Sequence, residues 1–152
     1  MDDLVGRTAV VTGGGSGIGR AIVLELADAG MNVVIADIEE DAARAVASEA
    51  EAAGARAIPV HADVSDSASM QAIADTAYAE FGAVHVLCNN AGVLIFGDMQ
   101  KLKIEDWNWL LGVNVFGVLN GIYAFLPRML ETGPCAYRLK LRPAVRVIEF
   151  TK

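Results

Sequence analysis

The feature that most constrains this chain is a glycine-rich segment set between a strand pattern and a helix pattern. The β-branched run Arg7-Thr8-Ala9-Val10-Val11 leads straight into Thr12-Gly13-Gly14-Gly15-Ser16-Gly17-Ile18-Gly19, and an amphipathic helical pattern leaves it. Glycine lets a backbone turn sharply and lets a ligand lie against it. The first turn of the following helix offers unpaired N–H groups and a partial positive charge, which suit a pyrophosphate. The spacing Gly13-x3-Gly17-x-Gly19 departs from the commonest dinucleotide fingerprint, Gly-x-Gly-x-x-Gly. An ordinary flexible loop is the plain alternative, and the placement between strand and helix weighs against it. The candidate cofactor-binding residues here are Gly13, Ser16, Gly17, Ile18 and Gly19.

Strand and helix patterns then alternate up to about residue 133. Thr8–Val11 reads as a buried strand and Ile18–Ala29 as a helix ended by Gly30. Asn32–Ala36 is the second strand, and Glu39–Ala53 is an Ala- and Glu-rich helix that stops at Gly54. Ala55–Val60 is a third strand, and its Pro59 predicts an edge position. Ser67–Phe81 is a helix ended by Gly82, Val84–Cys88 a fourth strand, and Ile104 to about Glu131 a long helical region. Short connections between strands and helices predict an α/β fold with a parallel, doubly wound sheet.

Asp37 closes the second strand. A carboxylate there accepts both ribose hydroxyls of an adenosine and repels a 2′-phosphate. Neither Ile38 nor Ser16 supplies the cation that such a phosphate needs, so NAD is expected over NADP. A competing role for Asp37 is to cap the next helix. Asp63 follows the third strand in His61-Ala62-Asp63-Val64 and by itself reads as a loop or capping acid. Asn89-Asn90-Ala91-Gly92 leaves the fourth strand with small residues and amide donors, which allow a ligand close approach. Asn114 is a polar residue within an apolar helix, where burial demands a hydrogen-bond partner and where it caps or kinks the helix.

The 152 residues suffice for one domain with its own core. Twelve basic against nineteen acidic side chains give a net charge of −7, which excludes an electrostatic footprint for nucleic acid or an anionic membrane. Met1-Asp2-Asp3 does not read as a signal peptide. Cys88 and Cys135 are too few for a disulfide scaffold and lack zinc spacing, so no metal site is expected and a cytoplasmic location is. Cys88 reads as a small buried hydrophobe. From Trp107 to Pro127 no residue is charged, a length that approaches a membrane span. Asn108, Asn114 and Asn120 would be costly in lipid, and Gly117 and Gly121 allow close helix packing, so a buried or interface helix is expected instead.

In this order, Thr12-Gly13-x3-Gly17-Ile18-Gly19, Asp37, Asp63-Val64, Asn89-Asn90-Ala91-Gly92 and Trp107-x6-Asn114 resemble the short-chain dehydrogenase/reductase family, over residues from about 5 to 133. The resemblance implies a Rossmann-like fold and hydride transfer between a nicotinamide cofactor and a small-molecule alcohol or ketone. It assigns Asp63 and Val64 to the adenine pocket, and Asn90, with Ala91 and Gly92, to the cofactor's side. It makes Asn114 the one present member of a catalytic Asn-Ser-Tyr-Lys set, holding a proton-relay water. It also implies homo-oligomers, built partly on the helix that includes Asn114, with the neighbouring interface helix absent here.

The resemblance stops at Pro134, which divides a dinucleotide-binding part, residues 1–134, from a divergent tail, 135–152. The family's general acid/base is a tyrosine with a lysine four residues on, whose charge lowers the phenol's ordinary pKa of about 10. Here Tyr137 is followed by Lys140 at a spacing of three, and no serine occurs after Ser69. The pair is therefore rejected, and the catalytic Ser, Tyr and Lys are expected to be missing. Codons for Cys135-Ala136-Tyr137-Arg138, read one nucleotide later, permit Ala-His-Ile-Val, which suits the family's fifth strand. A frameshift is the expected origin of the tail, with a splice variant or true divergence as alternatives. The doubly wound sheet is thus expected to be incomplete in its C-terminal half, its fourth strand an exposed edge unless Ala144–Phe150 takes the empty place. Three functions remain: an oxidoreductase by lineage that lacks turnover, a catalytically dead NAD-binding or interaction module, or an unstable truncation product.

Overall fold

Five residues that are β-branched or alanine form a strand buried along its whole length: β1, Thr8–Thr12. Its neighbour β2, Asn32–Asp37, is buried from Val33 to Ala36. Strands covered on both faces need helices above and below, as in a parallel sheet. The computed structural model, which describes residues 4–131, has that arrangement. Four parallel strands run in the order β3-β2-β1-β4, with β3 at Ala57–His61 and β4 at Val86–Cys88. Pro59 therefore lies on an outer strand, as its missing N–H requires. The residues from 135 to 152, including Tyr137, Lys140 and Ala144–Phe150, lie outside the described residues.

The helices are α1 (Gly17–Asp28), α2 (Glu40–Ala52), α3 (Ser67–Phe81), α4 (Ile104–Leu111) and α5 (Gly117–Glu131). Alternate strand residues serve opposite layers. Val11, Val33 and Ile35 pack with Val23 of α1 and Val46 of α2. Val10 and Val34 pack with Met70 and Ile73 of α3 and Phe125 of α5. On that second face the Tyr78 hydroxyl donates to the Phe125 carbonyl (3.4 Å), and the Arg128 guanidinium lies 3.9 Å from the Tyr78 ring centre. Asp66 caps α3, accepting from the N–H groups of Ala68 (3.0 Å) and Ser69 (3.3 Å).

The last helical region runs as the sequence reading has it, with a π-helical turn, Gly112–Phe116, between α4 and α5. Of the two places expected for it, buried or at an interface, burial does not hold. Ile104–Glu131 is long and apolar enough by length and composition to cross a membrane, yet only 22% of its most apolar window is buried among the described residues. One face packs, through Gly117, Gly121, Ala124 and Phe125, while Phe116, Leu119, Tyr123 and Leu130 stand exposed. The expected small-residue packing does occur. Gly117 faces Val64 and Gly121 faces Asn89, each so closely that a Cβ would collide.

The chain builds outward from β1 through β2 to β3, then returns to the other side of β1 with β4. A crevice is expected where this order reverses, at the carboxyl ends of β1 and β4. The opposite ends of the same two strands are tied through His85. Its N–H donates to the Thr8 carbonyl (2.9 Å), and its Nδ1 accepts the Thr8 N–H (3.1 Å). Burial, helped by the charge of Arg7, holds the His85 imidazole below its usual range. The neutral ring is therefore the native form. The unfolded chain takes up this proton near pH 6.5 and the folded chain only at lower pH. Stability from His85 should be complete above that pH and fall as acid is added. Urea midpoints at pH 7.5 and pH 5.5 should drop further in the wild type than in His85→Gln.

Candidate functional site

The crevice is built around one hydroxyl. Thr12, 1% exposed, ends β1, and its Oγ1 accepts the N–H of Asn90 (3.0 Å) and of Ala91 (3.1 Å) while donating to the Cys88 carbonyl (3.3 Å). The Asn90 side chain returns the link: Nδ2 donates to the carbonyls of Thr12 (3.0 Å) and Gly13 (3.1 Å). The loop leaving β4 is thereby laced to the glycine-rich loop leaving β1. Two glycines are obligatory. Gly13 has φ +64°, and a Cβ there would stand 2.9 Å from the Ala91 Cα. A Cβ on Gly19 would drive into the Gly13 carbonyl oxygen and reach within 2.6 Å of Asn90 Nδ2.

Ser16 is the N-cap of α1, but its hydroxyl makes no capping bond, and the first turn holds no acidic residue. The helix therefore presents its partial positive charge to the crevice without a side-chain counter-charge. Across from it, Asp37 is held by two backbone donors: Oδ2 accepts the Gly15 N–H (2.8 Å) and Oδ1 the Glu39 N–H (3.0 Å). Each oxygen keeps a free lone pair. The capping role does not hold, because α2 starts at Glu40 with Glu39 as its uncapped N-cap, and Asp37 binds only the turn before it.

Asp63 likewise closes a turn. Its Oδ1 accepts from the N–H (2.9 Å) and hydroxyl (2.6 Å) of Ser65, and its own N–H donates to Ser69 Oγ (3.1 Å). It is the loop acid, and Asp66 is the cap. Val64, 7% exposed, packs under Gly117, and the Val64 carbonyl accepts from Asn120 Nδ2 (2.9 Å). Asn114 is exposed, contrary to the expected burial, and still bonded through both its oxygen and its nitrogen. Its Oδ1 accepts the Val93 N–H and its Nδ2 donates to the Val93 carbonyl, both at 2.8 Å. This two-point bond copies a strand pairing and sits inside the π turn, where such bulges gather at functional sites.

These parts enclose a cleft of about 610 Å³. Gly13, Ser16, Gly17, Ile18 and Gly19 line its floor, Asp37, Asp63 and Val64 one wall, and Asn90, Ala91 and Gly92 the other. Every cofactor-binding residue expected from the sequence thus meets in one place, and Asn114 braces Val93 at the rim. Sequence reasoning missed Ala62, Ser65, Val93, Trp109 and Val113, which also line the cleft, and took the buried Thr12 behind it only as the first residue of the glycine motif. Only the i, i+4 spacing of Trp109 and Val113 signalled a shared face. Cys88 is mostly buried, and burial pushes its thiol up to about 11, so it remains protonated and unreactive. Asn89 Oδ1, buried opposite Gly121, has no partner among the described residues. No group of three or more His, Cys, Asp or Glu side chains among the described residues could hold a metal ion.

Comparison with known proteins gives this cleft its context. The short chain dehydrogenase family profile matches residues 7–135. The chain is 37% identical over 130 residues to D-threitol dehydrogenase of Mycolicibacterium smegmatis, covering 86% of this chain and 50% of that protein. It is 40% identical over 130 residues to a 3-alpha-(or 20-beta)-hydroxysteroid dehydrogenase of Mycobacterium bovis, covering 86% and 49%. Its fold superposes with a TM-score of 0.84, at 45% identity, on a short-chain dehydrogenase/reductase from Burkholderia phymatum in complex with NAD, covering 87% of this chain and 47% of that one. The chain spans about half the length of the curated relatives it matches.

Thr12→Val keeps the shape of the side chain and removes its hydroxyl, leaving the N–H groups of Asn90 and Ala91 without their acceptor. A buried orphan donor costs about 1–3 kcal/mol. A fall of that order in unfolding free energy, read from urea denaturation, is expected.

Proposed function

The chain belongs to the short-chain dehydrogenase family, and from that premise we propose that its cleft binds NAD in preference to NADP. The observation that carries the preference is the Asp37 carboxylate, fixed at the end of β2 by the Gly15 N–H at 2.8 Å. Its free lone pairs suit the two hydroxyls of an adenosine ribose, and its charge opposes a 2′-phosphate. The donor set fits the rest of the cofactor. The open N-terminus of α1 and the glycine floor meet the diphosphate, and the Asp63–Ser65 turn with Val64 flanks the base.

Bound NAD supplies a carbon that accepts hydride; the class of substrate proposed is a small secondary alcohol or ketone. The chain's own residues bind and orient. Asn90 holds the cleft floor, and Asn114 fixes Val93 at the rim, keeping one N–H and one lone pair for a water. The family resemblance gives the proton-transfer step to a tyrosine acidified by a nearby lysine. Neither described tyrosine lines the cleft: Tyr78 is stacked under Arg128 on the far layer, bonded to Phe125, and Tyr123 stands exposed on α5. We therefore propose that residues 4–131 bind cofactor without turning over substrate by themselves, with Asn114 as the member of the catalytic set among the described residues.

A ligand at a hundred times its Kd stabilises the fold by about 2.7 kcal/mol. Thermal denaturation should thus shift upward by several degrees with millimolar NAD and much less with NADP, and mixed secondary alcohols should yield no NADH. Asp37→Arg should weaken NAD binding at least tenfold by calorimetry. Equal stabilisation by NADP in the wild type would overturn the ribose assignment, and steady NADH formation would overturn the claim of inactivity.

A further inference from the structure

The cleft has an aromatic wall that the binding of a diphosphate and ribose leaves unexplained. Trp109 lies on α4, and Gly112 and Val113 open the π turn that follows it. Gly112 fixes where that turn sits: a Cβ there would stand 3.5 Å from Ser65 Cβ, in ordinary contact with the β3–α3 loop. Val113 and Trp109 both line the cleft, together with Asp63, Val64 and Ser65. It is 49% exposed, a large apolar ring half in water over a cleft. Trp107, two residues earlier, is 37% exposed and is not part of the lining.

A hydrophobic ring standing in solvent at the rim is a cost to the empty protein that a flat ligand removes. The same lining holds the nearly buried Ala62 and Val64, with Ser65 beside them. That combination of small apolar side chains, an indole and a hydroxyl suits a purine. We infer that Trp109 is a base-contacting residue, covering the adenine of a bound nucleotide and contributing affinity to the adenosine half alone. The inference rests on the cleft being a nucleotide site, and adds the residue that closes it over the base.

Aromatic contact with a planar ring is worth about 0.5–1.5 kcal/mol beyond area burial, a factor of roughly two to twelve in affinity. The test uses AMP, NAD and nicotinamide mononucleotide as probes, with binding read by calorimetry and by tryptophan fluorescence. Trp109→Leu should weaken AMP and NAD by the same factor, about threefold to tenfold, and leave nicotinamide mononucleotide unchanged. In Trp107→Phe, which leaves Trp109 as the single indole, saturating AMP should quench the emission and shift it to shorter wavelength as the ring loses water. In Trp109→Phe the remaining indole should not respond. Should Trp109→Leu fold poorly, the fluorescence response of Trp107→Phe decides alone. Wild-type affinity for AMP in Trp109→Leu, or an indole in Trp107→Phe that ignores AMP, overturns the inference while leaving NAD binding intact. Failure of the wild type to bind either AMP or NAD overturns it together with the nucleotide reading of the cleft.

Discussion

The architecture of the cleft depends on the hydroxyl of Thr12. A parallel sheet fixes β1 and β4 side by side, but it does not fix the loops that leave them. One buried oxygen does so by accepting two N–H groups from the outgoing loop of β4 and donating to the Cys88 carbonyl just before it. With the Asn90 amide reaching back to Thr12 and Gly13, the two loops form one rigid floor. The interaction lies in a region closed to water, where each bond is worth more and each missing partner costs more. Binding groups on loops become precise when such a lattice removes their freedom, and little ordering cost is then left for the ligand to meet.

Much of this was legible in the sequence. The alternation of buried β-branched runs with helical patterns gave the parallel sheet, and Pro59 told which strand lay outside. Glycine spacing placed the floor of the cleft, because a close approach between Gly19 and Gly13 leaves no room for any other residue. What escaped was contact made by ordinary residues. A threonine at a strand end carries no signal that its hydroxyl will collect three bonds. Trp109 lies in an apolar stretch, and periodicity assigns such a residue to a helix face without telling whether that face meets a core or a cleft.

Asn114 shows the same limit from the other side. A polar residue amid apolar neighbours implied burial, yet the residue is exposed and satisfied by the backbone of Val93. The pairing falls within the five residues that widen into a π turn, a local geometry that hydrophobic periodicity does not encode. The division of a long helix into α4 and α5 follows. α5 seats its glycines on Val64 and Asn89, while α4 swings across the Ser65 side of the cleft. Two side-chain amides, Asn114 on Val93 and Asn120 on Val64, thus connect the helical layer to the crevice.

The crowding of Gly13, Gly19 and Asn90 has a consequence for how this chain can drift. The carbon that any mutation would add at Gly19 meets both other positions at once, so the three cannot be altered one at a time; their effects are coupled rather than additive. Variation is pushed outward to places with slack, such as the half-exposed Ile38 and Trp109 on the walls. A scaffold of this kind keeps its glycine floor as one inherited block and leaves change to the walls around it.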